Sequence, residues 1–167
     1  MTVRIAPQAP AHASALFEAL RDPRIYAFLD GGPPASAGEV EDRIRRLQAG
    51  APPESGQTWL NWTVFEGDTA LGYTQATIEA SGTASLAYVL SPRAWGRSVA
   101  YEACRLTLAQ LSARPDVTAF IADTEDGNAR SRALLARLGF RHVRTEGTDL
   151  HFHRAPDAEA LPATPSS

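Results

Sequence analysis

The chain has 167 residues, room for one ordinary domain and too few for two of usual size. Hydrophobic residues make up 44%, but 30 of them are Ala, so helices must pack closely through small faces to fill a core. A net charge of −3 argues against general nucleic-acid binding, and all 16 basic residues are Arg, which excludes a Lys Schiff base and the Lys of a P-loop NTPase.

Val3 and Ile5 alternate with polar neighbours over Thr2–Ala6, as in a short strand closed by Pro7 and Pro10. Leu16, Phe17 and Leu20 stand at helical spacing in Ala11–Leu20, and Asp22-Pro23 ends that run. Gly31-Gly32-Pro33-Pro34 is a loop. Ser36 is placed to cap a second helix with Val40, Ile44 and Leu47 inward and a charged, solvated face outward. Ala49–Gln57 is a Pro/Gly loop.

The period then changes to two. Thr58–Phe65, Ala70–Ile78 and Thr83–Leu90 read as three antiparallel strands joined by turns at Gly67-Asp68 and Ser81-Gly82. Helical spacing returns from about Arg97 to Ala113, followed by a strand over Val117–Asp123. A second amphipathic helix, Ala129–Leu138, ends at Gly139, where a C-terminal cap is expected. Phe140–Val143 and Leu150–His153 form a last strand pair. Ala155–Ser167 offers little to bury and is expected to be a disordered tail, leaving one domain over residues 1–154. This order is α+β with a mixed, mostly antiparallel sheet flanked by helices and one strand–helix–strand crossover.

Cys104 is the only cysteine, so it forms no intrachain disulfide, and its helical position reads as core. No apolar h-region follows Met1, and no apolar run approaches the roughly 20 residues that span a bilayer. A soluble cytoplasmic protein without a membrane partner is expected. His151 and His153 alternate on one strand, but no third ligand follows at a recognisable spacing, so no metal is expected. Trp59, Trp62 and Tyr73 read as cross-strand packing.

Chemistry concentrates in Tyr88–Ala103, YVLSPRAWGRSVAYEA. A strand ends at Leu90, a turn holds Arg93, Gly96 and Ser98, and a helix starts at once. N–H groups at a helix start lack internal partners, and the macrodipole puts positive charge there. A pyrophosphate suits such a place. Gly96 lets backbone approach it, and Arg93 and Arg97 add charge. An ordinary strand–helix turn would use the same residues.

Here the chain resembles the GNAT acetyltransferase superfamily, in particular its branch of ribosomal-protein N-terminal acetyltransferases. The family's pyrophosphate loop, Arg/Gln-x-x-Gly-x-Gly/Ala, is matched by Arg93-Ala94-Trp95-Gly96-Arg97-Ser98. The branch's Pro-x-x-Trp-Gly-Arg-Gly leading to Ala-Thr-Glu-Ala is matched by Pro92–Ser98 and Ala100-Tyr101-Glu102-Ala103. Asn-x-x-Ser and Leu-Gly-Phe appear as Asn128–Ser131 and Leu138-Gly139-Phe140. The resemblance covers roughly residues 2–154. Ser98 departs from the family's Gly or Ala; it keeps its backbone N–H but is disfavoured at positive φ.

The resemblance implies direct acetyl transfer from acetyl-CoA to a primary amine, either a small molecule or a peptide N-terminus. Tyr88, Val89 and Leu90 would pair their backbone with the pantetheine amides, and a backbone N–H near Val89–Leu90 would hold the oxyanion. Trp95, Gly96, Arg97, Ser98, Val99 and Ala100 would wrap the pyrophosphate. Asn128 would bond the pantetheine arm, cap its helix, or do both. Asp123 is the candidate base, with Glu79 and Glu102 as weaker alternatives. The Tyr that many relatives use as acid is replaced by Leu135, which leaves Ser131 as the donor to sulfur or as a helix serine bonded to a carbonyl. The acceptor surface would come from Gly31–Pro34, the second helix and the Leu150–His153 hairpin. Homodimers are common in the superfamily. Two other readings stay open: a degenerate acyl-CoA-binding regulatory module, and an interaction domain that has lost the cofactor.

Overall fold

A computed structural model describes residues 2–156. Seven strands form one sheet: β1 (Val3–Pro7), β2 (Thr58–Glu66), β3 (Thr69–Ile78), β4 (Thr83–Leu90), β5 (Ala119–Glu125), β6 (Arg141–Glu146) and β7 (Asp149–Arg154). Four α-helices flank it: α1 (Ala13–Leu20), α2 (Ala37–Ala49), α3 (Val99–Ser112) and α4 (Ala129–Arg137). The sheet order is β1-β2-β3-β4-β5-β7-β6. Every neighbouring pair is antiparallel except β4 and β5, which the α3 crossover makes parallel. The fold is the α+β architecture expected from the sequence.

The element boundaries follow local chemistry. Ser36 Oγ accepts from the Glu39 N–H, while Glu39 Oε2 accepts from the Ala35 N–H, fixing the start of α2 from both sides. Gly139 has φ 86°, and the Gly139 and Phe140 N–H groups donate to the Ala136 and Leu135 carbonyls, a Schellman ending for α4. The structure adds 3-10 turns at Pro10–His12, Pro23–Phe28 and Pro53–Ser55, which the sequence reading leaves within a helix or in loops. Asp22 caps the second by accepting from the Arg24 N–H. β5 continues to Glu125, so Asp123 lies inside the strand and does not end it. Of the expected tail, residues 157–167 lie outside the described residues.

The sheet divides two packed layers. One face meets α3 and α4 around Leu86, Leu108, Leu111, Phe120, Leu135 and Leu138. On the other, α1 and α2 bring Leu16, Leu20, Val40 and Ile44 against Tyr73, Val89 and Trp95. Trp62 is 5% exposed and Cys104 fully buried, so both belong to the core. Trp62 donates its indole N–H to Gln110.

Candidate active site

The sheet opens at its middle. β4 pairs with β5 only from Thr83 to Ser85, opposite Ala119 to Ile121. Beyond that, β4 stays paired to β3 up to Leu90, and β5 stays paired to β7 up to Glu125. The two parallel strands therefore diverge into a wedge. Close contact on the β3 side holds the β4 lip: Gly72 has φ 144°, and a Cβ there would fall 2.1 Å from the Val89 carbonyl oxygen. Only glycine allows this approach.

Strand alternation decides which backbone groups line the wedge. The Ser91 N–H donates to Leu71 and the Thr83 carbonyl accepts from Glu79, both on the β3 side, whereas the Gly82 carbonyl accepts from Thr118 across the β5 side. Even-numbered positions of β4 thus face β5. The Ser85–Ile121 pairing still occupies the Leu86 N–H; beyond it the Leu86 carbonyl, both backbone groups of Tyr88 and the Leu90 N–H turn into the wedge without a strand partner. The Leu90 carbonyl accepts from the Trp95 indole N–H at 3.2 Å. Val89 turns its backbone to β3 instead, so of Tyr88, Val89 and Leu90 only the first and last turn backbone groups into the wedge. The Val89 side chain packs on the opposite face, towards α1 and α2.

Both following helices begin near the wedge mouth. Before α3, Gly96 and Ser98 have φ 71° and 61°, and Ser98 is the one non-glycine residue with positive φ among those described. Ser98 makes no side-chain cap bond. The first helical bond runs from the Glu102 N–H to the Ser98 carbonyl, so the N–H groups of Val99, Ala100 and Tyr101 have no intrahelical partner. Ser98 Oγ instead accepts from Arg137 of α4 at 3.1 Å. The Arg137 guanidinium lies 3.9 Å from the Tyr101 ring centroid, and that of Arg130 lies 3.7 Å from the Trp95 ring centroid. Arg93 is exposed and has no ion pair among the described residues. The Arg97 guanidinium is committed to Glu66, at 2.6 Å, and to the Arg93 carbonyl, at 2.9 Å. Arg97 therefore offers this loop its backbone more than its charge.

α4 begins differently. Asn128 Oδ1 accepts from the Ser131 N–H, a helix cap that leaves the amide NH2 for another partner. Ser131 Oγ meets the Tyr88 phenol at 2.5 Å. Burial, with Cys104 nearby, pushes the Tyr88 phenol well above the ordinary tyrosine range and outweighs the opposing effect of its hydrogen bond to Ser131. Leu135 is fully buried in the core.

On the opposite face of the sheet, Asp123 pairs with His151: Asp123 Oδ1 lies 2.6 Å from His151 Nδ1, with the Asp123 side chain 59% exposed. His151 Nε2 lies 3.4 Å from Glu146 Oε2, too poorly aligned for a hydrogen bond. The two residues are register partners on β5 and β7, and Ala87, also exposed, stands level with Asp123 across the gap. Glu79 is bonded to Gln57 at the far end of the β3–β4 hairpin, away from the wedge mouth. Glu102 is paired with Arg105. A concavity of about 600 Å3 lies between α4 and the β6–β7 hairpin, lined by Ala129, Ala133, His142 and Phe152, and is distinct from the wedge.

An uncapped helix start, a left-handed loop and a parting of two parallel strands coincide with the matched motifs. The family model for the acetyltransferase (GNAT) domain matches residues 2–141. The chain belongs to the GNAT acetyltransferase family. Solved structures share its fold at low identity. An acetyltransferase from Thermus thermophilus is 22% identical, with a TM-score of 0.71 over 93% of this chain and 97% of that one. An aminoglycoside acetyltransferase in complex with coenzyme A is 15% identical, with a TM-score of 0.76 over 94% and 96%. Spermidine N-acetyltransferase from Vibrio cholerae, in complex with CoA and spermine, is 11% identical, with a TM-score of 0.74 over 93% and 96%. Among curated proteins none matches the chain. As a GNAT acetyltransferase the protein takes its acetyl group from acetyl-CoA. No helix among the described residues is long and apolar enough to cross a membrane.

Sequence reasoning missed the His151 partner of Asp123, the Glu66 partner of Arg97, and the contacts of Arg130 and Arg137. His151 carries a sequence signal, its alternation with His153, but that signal suggests a metal pair before it suggests a carboxylate partner.

Proposed function

We propose that this GNAT acetyltransferase moves acetyl from acetyl-CoA to a primary amine, of a small molecule or a peptide N-terminus, by direct attack on the thioester. The observation that carries this reading is the divergence of β4 and β5 beside the uncapped start of α3. The wedge supplies unpaired backbone groups for an amide-bearing chain, and the helix start supplies N–H donors and positive potential for its diphosphate. Tyr88 and Leu90 would pair with pantetheine, with the Leu90 N–H aimed at the oxyanion. The N–H groups of Ser98, Val99 and Ala100, with Arg93 and Arg137 around them, would hold the pyrophosphate, and the free amide of Asn128 the pantetheine arm.

The amine would approach from the face that carries Val89, Ala87 and Asp123. Asp123 would take its proton, held in place by the His151 imidazole, while the N–C bond forms and the C–S electron pair passes to sulfur. Ser131 would hydrogen-bond to the departing thiolate. Pro92–Ala103 favours the branch that modifies protein N-termini. Ser98 already holds the left-handed conformation that the loop requires, which supports retained cofactor binding.

Release of free CoA thiol over a panel of peptides, polyamines and aminoglycosides tests the reading. Turnover on at least one amine is expected, with Asp123→Asn lowering kcat by about 100-fold at neutral pH and leaving acetyl-CoA affinity within about twofold. Binding of acetyl-CoA without thiol release on any amine would favour the regulatory-module reading. Calorimetry with no heat and no thermal stabilisation would favour an interaction domain.

A further inference from the structure

The bond between Tyr88 and Ser131 joins the two lips of the wedge. Tyr88 stands on β4, three residues past the last β4–β5 pair, and Ser131 lies in the first turn of α4, the helix that follows β5. Alternation sends the Tyr88 side chain to the α3 and α4 face, where it packs against the main core. Its phenol reaches Ser131 Oγ at 2.5 Å. The backbone of Ser131 is fixed by Asn128, which accepts from its N–H. The hydroxyl is then the one group of Ser131 whose direction remains to be set.

A phenol kept protonated by burial can donate. Either hydroxyl can donate in this bond; with no other acceptor for the Tyr88 O–H among the described residues, the arrangement that leaves both protons usable has Tyr88 donating to Ser131 Oγ. A helix serine often turns its own proton back to the carbonyl four residues earlier. Ser131 makes no such bond, and with an incoming donor on its oxygen, its proton points away from Tyr88. We infer that Tyr88 is a positioning residue, whose phenol aims the Ser131 hydroxyl proton into the wedge at the departing sulfur.

This inference rests on the acetyl-transfer reading above. As the tetrahedral intermediate collapses, the C–S bond breaks and its electron pair goes to sulfur. Ser131 donates a hydrogen bond to that thiolate, which leaves and takes its proton from water. The proton lost by the amine passes to Asp123 and then to water, so charge balances. Tyr88 keeps its own proton throughout. The side chain thereby stands in for a phenol on α4, whose place Leu135 gives to the core.

The test is a double-mutant cycle on kcat and on KM for acetyl-CoA, using the best amine from the panel, with wild type, Tyr88→Phe, Ser131→Ala and the double variant. Ser131→Ala should lower kcat by about tenfold or more, and Tyr88→Phe by roughly three- to tenfold with KM for acetyl-CoA within about twofold. The double variant should be no slower than Ser131→Ala alone, because Tyr88 acts through Ser131. Thermal melts with and without CoA separate a folding loss from a kinetic one. An unchanged kcat in Tyr88→Phe, or losses that multiply in the double variant, would overturn the role given to Tyr88 alone. A wild type that releases no thiol with any amine would overturn the acetyl-transfer reading, and this one with it.

Discussion

α3 and α4 both start beside the wedge, yet they start in opposite ways. α4 is closed by its own side chain, with Asn128 accepting from the Ser131 N–H. α3 has a serine at the equivalent place that turns to Arg137 and caps nothing. A self-capped helix has spent its best donor, whereas an uncapped one keeps donors and macrodipole for an outside anion. The backbone differs to match. Asn128 has negative φ, while Ser98 and Gly96 sit in left-handed conformations that turn successive N–H groups to one side. One helix end is closed by its own side chain, and the open one is where the proposed function puts the pyrophosphate.

That contrast breaks most visibly at Gly96. Nothing lies within 4 Å of where its Cβ would be, so the space beside it is open. Gly96→Trp should fill that space and reduce CoA affinity by at least about 100-fold in calorimetry, while CoA should still bind the Asn128→Ala variant measurably. Equal losses in both would mean that the two helix ends do the same work. Next in size is Asn128→Ala, expected to cost about 1 kcal/mol of stability in denaturant unfolding without ligand, because α4 loses its cap. The smallest effect sharpens the comparison. Ser98→Gly should raise stability by about 0.5–1 kcal/mol, since it relieves a side chain held at φ 61°. A loss instead would show that the Arg137 contact outweighs the strain.

Contiguous signals explain why so much of the local structure around the two helix starts was legible in the sequence. The turn glycine, the helix start, the Asn128 cap and the Gly139 ending each depend on residues within a few positions of one another, where backbone geometry dictates residue type. The three-strand meander and the crossover helix followed from period and turn chemistry. What escaped depends on register. Tyr88 and Ser131 are 43 positions apart, Arg97 and Glu66 are 31 apart, and Asp123 meets His151 only because β5 and β7 pair with those residues opposed. A one-residue slip would send each side chain to the other face, and no local pattern records which register wins. The short 3-10 turn at Pro23–Phe28 was hidden for a different reason. It buries one residue, Ile25, and so leaves no periodicity to read.

The indole of Trp95 turns this architecture into an optical gauge. It rests half-buried at the wedge mouth, its N–H on the Leu90 carbonyl and a guanidinium over its ring. The other two tryptophans, Trp59 and Trp62, sit on β2, two strands away from the opening. Under the proposed function, a nucleotide entering beside Trp95 disturbs its surroundings and leaves theirs alone. Intrinsic emission, resolved by replacing Trp59 and Trp62 with Phe, therefore reports occupancy in real time without a label.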